Sequence, residues 1–283
     1  MVVRRRLEPR LEPVFHRDSY GYRPGRSAHD ALRMARSRCW QRPWVLDVDI
    51  KGFFDNIDHD MLMKAVQRHT QCRWTVLYIK RWLTADVVLP DGTRQKRDRG
   101  TPQGGVISPL LANLFLHYAF DKWMERHHSK VLFERYADDV ICHCGSEAEA
   151  QSLRRELTSR MAQCQLELHP EKTQVVYCAD ANRRGDYIAK RFDFLGYTFK
   201  PRQSKNRRGE LFTSLSPAVS DKAAKAMRQE IRDLGLARQS RYDLGELRER
   251  FHSKMTGWIR YYGLFYPSML RRALRTLDFH LVR

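Results

Sequence analysis

Three aspartates carry the chemistry this sequence is equipped to do. Asp138 and Asp139 stand side by side in the run FERYADDVICHC, and Asp49 closes the apolar run Trp44-Val45-Leu46-Asp47-Val48-Asp49-Ile50. Neighbouring residues of a strand point to opposite faces, so an Asp pair serves a single site only where the chain turns. Two carboxylate clusters at the ends of separate buried strands suit a two-metal site that moves a phosphoryl or nucleotidyl group. Hard oxygen ligands are what Mg²⁺ requires. With Asp49, Asp138 and Asp139 around two ions, one ion would activate a 3′-hydroxyl nucleophile and the other would stabilise charge on the leaving pyrophosphate. Asp47 shares a strand face with Asp49 and competes with it on spacing alone. Asp is also a favoured turn residue, so an isolated Asp pair reads first as turn solvation. Asp55 and Asp58 lie just beyond, where they suit helix capping.

A second constellation is Gly100-Thr101-Pro102-Gln103-Gly104-Gly105, followed by Val106-Ile107-Ser108-Pro109. Glycines allow a backbone to approach a substrate closely. Gln103 offers both a donor and an acceptor to a base or sugar edge. The segment lacks the closing Gly-Lys-Ser/Thr of a Walker loop, and by itself it also reads as a turn that leads into a helix. Two look-alikes fall away. His16-Arg17-Asp18 resembles a kinase catalytic loop, but Arg23 stands where the Asn belongs. Asp58-His59-Asp60 has no serine nucleophile motif beside it.

The elements that must position these groups can be read from pattern. Ser27 caps a helix through about Arg38, and residues 44–50 form a buried strand. Apolar residues at helical spacing (Met61, Leu62, Ala65, Val66, then Val76, Leu77, Ile79, Trp82) predict helix over 60–83. Pro90-Asp91-Gly92 marks a hairpin turn between Val87 and Lys96. Residues 109–126 form a long apolar helix, 132–144 the hairpin with the Asp pair, and 146–164 an amphipathic helix with Leu153, Leu157, Met161 and Cys164 on one face. Short strands follow near 173–178 and 193–199, then a basic loop from Arg202 to Gly209. Two helices close the pattern, one lined by Val219, Ala223, Met227, Ile231 and Leu234, the other by Leu247, Phe251, Met255, Trp258, Ile259 and Tyr262. A third begins near Ser268. The expectation is an α+β catalytic body and a small helical domain, divided at about 201–216.

Composition narrows the partners. The 283 residues contain 52 Lys and Arg against 33 Asp and Glu, a net charge of +19 spread along the chain. Such a surface attracts polyanions, with nucleic acid the first expectation. Membrane is not expected: the apolar stretch from Val106 to Phe120 is too short and too interrupted to span a bilayer, and no signal peptide follows Met1-Val2-Val3-Arg4-Arg5-Arg6. The cysteines (Cys39, Cys72, Cys142, Cys144, Cys164, Cys178) show no Cys-x-x-Cys or zinc-ribbon spacing. They read as buried reduced thiols, and so as a cytoplasmic protein.

The ordered motifs add a resemblance. Asp49-Ile50-Lys51-Gly52-Phe53-Phe54-Asp55, Thr101-Pro102-Gln103-Gly104-Gly105 with Ser108-Pro109-Leu110-Leu111-Ala112-Asn113, Tyr136-Ala137-Asp138-Asp139 and Phe194-Leu195-Gly196-Tyr197 are similar to the motifs of group II intron-encoded reverse transcriptases. Tyr20-Gly21-Tyr22-Arg23-Pro24-Gly25-Arg26-Ser27-Ala28-His29-Asp30 resembles an upstream block of that family, and Gly257-Trp258-Ile259-Arg260-Tyr261-Tyr262 its maturase, or thumb, domain. The resemblance implies a right-hand polymerase palm with partial fingers, then a helical thumb (maturase) domain: partial fingers over 1–40, palm with the remaining fingers elements over 41–205, thumb over 206–283. It implies Asp49, Asp138 and Asp139, with Ile50, as the residues at two Mg²⁺ ions. Phe54 matches the bulky position that excludes a 2′-hydroxyl and selects dNTPs. Gln103 and Gly104 match the block at the incoming nucleotide and template, and Lys172 the lysine that protonates pyrophosphate, where a cation also stabilises leaving-group charge. Phe194, Leu195 and Gly196 match the primer-grip turn. Arg202, Lys205, Arg207, Arg208 and Arg260, with Lys222, Lys225 and Arg228, are expected along phosphates, with salt-sensitive binding.

The implied activity is Mg²⁺-dependent addition of dNTPs to a DNA primer on an RNA template, with group II intron RNA as a further partner. The chain departs from the family in starting late, without the basic fingers segment that clasps the triphosphate, and in stopping just after the thumb. Loss of two charge-assisted contacts would lower catalytic efficiency on the order of 10²–10⁴. A non-catalytic splicing maturase and an inactive truncated remnant are therefore the alternatives.

Overall fold

The computed structural model describes all residues except 89, 103, 184, 206–207, 234, 236–242 and 283. The chain divides into two compact units, Met1–Val175 and Val176–Arg283.

The first unit opens with α1 (Val2–Leu11) and α2 (Ala28–Gln41). Ser27 caps α2 in a reciprocal box with Asp30: the Ser27 hydroxyl accepts from Asp30 N–H at 3.2 Å, and the Asp30 carboxylate accepts from Ser27 N–H at 3.0 Å. Strand β1 (Trp44–Val48) follows, then α3 (Phe53–Asn56), α4 (His59–Gln67) and α5 (Arg73–Leu83). The single helix expected over 60–83 is therefore two. Thr70 Oγ1 accepts from Cys72 N–H at 3.3 Å, a side-chain bond that competes with helical pairing and ends the run. The short strands β2 (Val87–Val88) and β3 (Arg94–Gln95) make the expected hairpin, with Gly92 at φ +85° in its turn.

Helices α6 (Ser108–Leu116) and α7 (Lys122–His127) are joined by a π-helical turn at His117–Asp121. The hairpin β4 (Leu132–Tyr136) and β5 (Asp139–Cys144), then α8 (Glu147–Gln163) and β6 (Gln174–Tyr177), complete the set. The sheet runs β4-β5-β1-β6, with β5 antiparallel to both β4 and β1. Helix α8 buries Ala150, Leu153, Leu157 and Met161, the face that its periodicity predicts. All six cysteines are free, and all but Cys72 are buried.

The second unit contains β7 (Phe192–Phe194), β8 (Tyr197–Lys205) and β9 (Leu211–Val219), in that order in one antiparallel sheet. The strand expected at 193–199 is thus a hairpin with its turn in the middle. The expected basic loop from Arg202 begins as strand, because Arg202 and Lys205 lie in β8, paired to Ser214 and Leu211. Pro217 sits within β9 opposite Phe199, which an edge strand tolerates because its outer side needs no donor. The compact units divide at 175/176, so β7–β9 group with the helices that follow. These are α9 (Asp221–Asp233), α10 (Leu244–Tyr262) and α11 (Pro267–Val282). Asp243 and Glu246 cap α10 reciprocally. Val219, Ala224, Met227, Leu270 and Ala273 form a core with Trp258 and Tyr262 packed on it. Among the described residues no helix is long and apolar enough to cross a membrane.

Candidate active site

The Asp pair sits where the turn argument requires. Tyr136 pairs with Asp139 across the β4–β5 ladder, leaving Ala137 and Asp138 as a two-residue loop. Ala137 has φ +58° and Asp138 is not in the left-handed region, the pattern of a type II′ hairpin turn. On the other side of β5, Val48 faces Val140. The next residues along, Asp49 and Asp139, therefore follow side by side at the end of that ladder.

A buried ionic group holds this loop. Arg135 is fully buried and donates to both carboxylate oxygens of Asp121 at 2.7 Å, to Asn113 Oδ1 at 2.9 Å and to the Ala137 carbonyl at 3.1 Å. Burial alone would raise the Asp121 carboxyl; the Arg135 guanidinium overrides it and holds the group down at about 2. Asn113 Nδ2 donates in turn to the Gly21 carbonyl at 2.6 Å. A Cβ on Gly21 would stand 2.5 Å from Ala137 N, so only glycine lets the 18–21 segment lie against the loop. Tyr20 N donates to Arg135 O, and Arg135 N to Asp18 O. On the opposite face of β4, Glu134 accepts from Arg38 at 2.7 Å and contacts His143 Nε2 at 2.6 Å, while Arg38 also reaches Asp18 at 2.9 Å. Asp18 is thus a structural anion.

None of Gly21, Asn113, Asp121 or Arg135 carried a role in the sequence reading. A signal was present: Asp121 and Arg135 are opposite charges inside apolar runs, and such charges are almost never buried unless paired.

Burial raises the proton affinity of Asp138, and the charge of Asp49 raises it further. These two carboxylates therefore feel one another. Asp49 is half-exposed, and Lys172 Nζ lies 3.5 Å from its Oδ2. The Asp49 backbone is clamped by the segment that carries Lys172: its carbonyl accepts from His169 N at 2.8 Å, and Thr173 Oγ1 meets both its N–H and its carbonyl at 3.3 Å. Ile50 faces Leu168 in an antiparallel bridge whose bonds use Asp49 O and Lys51 N, so the Ile50 carbonyl points away from Leu168.

Phe54 is half-buried in α3, edge-on to Phe53 at 5.4 Å. Its carbonyl accepts from Thr101 N at 2.7 Å, which brings the glycine-rich loop against this helix. Gly100, at φ +79°, allows the contact, since a Cβ there would lie 2.7 Å from Asp55 O. Gly104 is exposed with φ +81°, and Gln103 lies outside the described residues.

The donor chemistry fits a hard divalent cation: neighbouring carboxylates whose mutual repulsion a cation would relieve. The arrangement is a pair and not a closed cage. Among the described residues no group of three or more His, Cys, Asp or Glu side chains is placed to hold a metal ion.

The other residues singled out from the sequence lie in the second unit. Leu195 (φ +51°) and Gly196 (φ +77°) form the β7–β8 loop, with both φ positive as in a type I′ turn. Tyr261 Oη donates to Leu195 O at 2.9 Å, Ser220 N donates to Gly196 O at 3.0 Å, and Phe194 is buried beneath. Arg202 serves its own sheet, donating to Ser216 O at 3.2 Å and Thr198 O at 3.3 Å and lying 5.5 Å over the Tyr266 ring. Lys205, Arg208, Lys222, Lys225 and Arg260 are exposed and Arg228 is half-buried. Arg207 lies outside the described residues.

Comparison with known proteins gives this geometry a lineage. Residues 1–199 match the family described as reverse transcriptase (RNA-dependent DNA polymerase), and residues 224–283 match the group II intron, maturase-specific domain. Protein YkfC of Escherichia coli is 31% identical over 238 residues, covering 70% of this chain and 59% of that protein. The group II intron-encoded protein LtrA of Lactococcus lactis is 39% identical over 139 residues, covering 49% of this chain and 22% of that protein. In fold alone, the chain is similar to a telomerase from Candida albicans, with TM-score 0.55 at 14% identity over 99% of this chain and 50% of the other. The chain thus spans about a fifth to three-fifths of the two relatives' lengths. The cytoplasmic location expected from the cysteines does not stand. Matched relatives include an uncharacterized mitochondrial protein of Marchantia polymorpha and a mitochondrial nuclear intron maturase of Arabidopsis thaliana, so free buried thiols do not mark one compartment. The chain belongs to the reverse transcriptase family and resembles its group II intron-encoded reverse transcriptase/maturase members.

Proposed function

We propose that the chain is an RNA-directed DNA polymerase of group II intron type, adding dNTPs to a primer 3′-hydroxyl on an RNA template and binding intron RNA. The observation that carries this reading is the Asp138-Asp139 turn of the β4–β5 hairpin, set beside the end of β1 where Asp49 follows Val48, close enough that the charge of Asp49 raises the proton affinity of Asp138. In this reading residues 41–205 act as palm, 1–40 as part of the fingers and 206–283 as thumb. Asp49, Asp138 and Asp139, with the Ile50 carbonyl, would hold two Mg²⁺ ions. Bound there, Mg²⁺ would activate the 3′-hydroxyl and neutralise charge on the leaving pyrophosphate.

The remaining work belongs to the chain's own groups. Buried Arg135 keeps the Asp138 loop aimed, since its bond to the Ala137 carbonyl is backed by Asp121. Lys172 would give its proton to the departing pyrophosphate and is held at the site by its contact with Asp49. The Phe54 ring would press on the sugar C2′ and refuse a 2′-hydroxyl by sterics. Gln103 and Gly104 would meet the incoming nucleotide and template strand.

The test is dT incorporation on a poly(rA)/oligo(dT) duplex with Mg²⁺. The wild-type chain incorporates dT, and the Asp138→Ala/Asp139→Ala variant loses incorporation while melting cooperatively. Absence of incorporation by a folded, RNA-binding wild type would overturn the polymerase reading. One observation favours a second reading, a non-catalytic splicing maturase: the maturase-specific match at 224–283 overlaps the exposed cations Lys225 and Arg260. That function does not need the carboxylates, so splicing assistance retained by the double variant would support it.

A further inference from the structure

Helix α5 buries Thr75, Ile79 and Leu83. Trp74, Tyr78 and Trp82 turn outward, with exposures of 68%, 41% and 37%. Residues four apart form a row along one helix face. The ring centroids are 6.5 Å apart from Trp74 to Tyr78 and 5.8 Å from Tyr78 to Trp82, with interplanar angles of 30° and 31°. The repeated small tilt makes an exposed row of similarly oriented rings, unlike the edge-on packing of Phe53 on Phe54 or Phe120 on Phe133.

The surroundings are cationic. Arg73, Lys80 and Arg81 are exposed, and α5 contains no acid. Arg81 follows Tyr78 by three residues and so flanks the same row. At the start of the helix the Cys72 thiol is held below its ordinary range by hydrogen bonding to Thr75, with the charge of Arg6 on α1 adding to this. Contiguous exposed apolar groups rimmed by polar ones mark interaction sites. Flat aromatic faces flanked by guanidinium groups match the chemistry of unpaired bases and their phosphates, and duplex nucleic acid does not present free base faces.

We propose that the Trp74–Tyr78–Trp82 row is a stacking platform for single-stranded nucleic acid, with bases on the rings and phosphates on Arg73 and Arg81. This rests on nucleic acid being the partner of the chain and not on nucleotide addition, so primer extension at saturating template reports separately on the carboxylate chemistry.

The test measures fluorescence anisotropy of labelled oligo(rA), oligo(dA) and the corresponding duplexes with the full chain and its variants. The Trp74→Ala/Tyr78→Ala/Trp82→Ala variant is expected to melt as the wild type does and to bind the single strands at least about tenfold more weakly, with duplex binding changed less than about twofold. The all-Phe counterpart at the same positions retains most of the affinity, because a smaller ring still stacks. Loss for RNA alone, or for RNA and DNA together, supports the platform and names its source. Unchanged single-strand affinity in the Ala variant would overturn it, as would equal loss on duplexes. Two other results would also overturn it: self-association of the wild type in sedimentation that the variant lacks, or row-dependent binding to phosphatidylserine vesicles without row-dependent oligonucleotide binding.

Discussion

Two hairpin loops invite comparison. The β4–β5 loop at Ala137-Asp138 and the β7–β8 loop at Leu195-Gly196 each contain two residues and each places a non-glycine residue at positive φ. They are held by opposite means. The first is tied by a buried guanidinium locked to Asp121 and Asn113 and by the bare backbone of Gly21. The second is tied by a tyrosine hydroxyl on Leu195 O and a backbone N–H on Gly196 O, over an aromatic group of Tyr197, Tyr261 and Tyr262. A buried charge network allows few alternative arrangements, because any broken bond leaves an unpaired charge. Neutral hydroxyl bonds over packed rings are individually cheap to lose. The rigid device sits under the loop that carries Asp138.

Breaking the first loop is expected to have the largest effect. Arg135→Leu strands the Asp121 carboxylate in the core and should cost about 3–5 kcal/mol, read by urea unfolding, with incorporation lost even where the fold survives. The same pair predicts acid sensitivity. Asp121 is held at about 2 against an ordinary 3.8, so its contribution is complete above the ordinary value. That contribution fades as pH falls through about 2 and is on the order of 2 kcal/mol. A wild type no more acid-labile than the Arg135→Leu chain would contradict this.

The second loop should be more forgiving. Tyr261→Phe removes the donor to Leu195 O, a loss of about 1 kcal/mol that thermal melting would detect. An effect as large as that of Arg135→Leu would abolish the distinction between the loops.

The smallest stability effect sharpens the comparison from inside the first loop. Asp138 is raised by burial and by Asp49. A carboxyl raised in the fold favours the folded state fully below its unfolded value and loses that contribution as pH rises through the folded one. At neutral pH the ionised group therefore strains the fold. Asp138→Asn should raise the melting temperature slightly while abolishing incorporation, and a lower melting temperature would mean that the carboxylate is structurally satisfied.

Much of this was legible in the chain. The Asp pair belonged at a turn because neighbours on a strand diverge, and Ser27 announced the start of α2. Other features were hidden by a shared signal. Helical spacing continues through 60–83, and the break between α4 and α5, where Thr70 bonds Cys72 N–H, is not visible in that spacing. Arg202 and Lys205 look like loop cations because a strand with one polar face carries the same residues as a loop. Apolar spacing placed Leu77 and Trp82 on a helix but could not say which of its rows meets the core.

The sequence by itself determined the carboxylates, the family motifs, the positive charge and most of the elements, since each depends on residue type and local period. Tertiary structure decided that Arg135, Asp121, Asn113 and Gly21 hold the Asp138 loop, that Lys172 reaches Asp49, and which face of α5 is left bare. These are pairings between distant segments, and register and packing select them where local propensity does not.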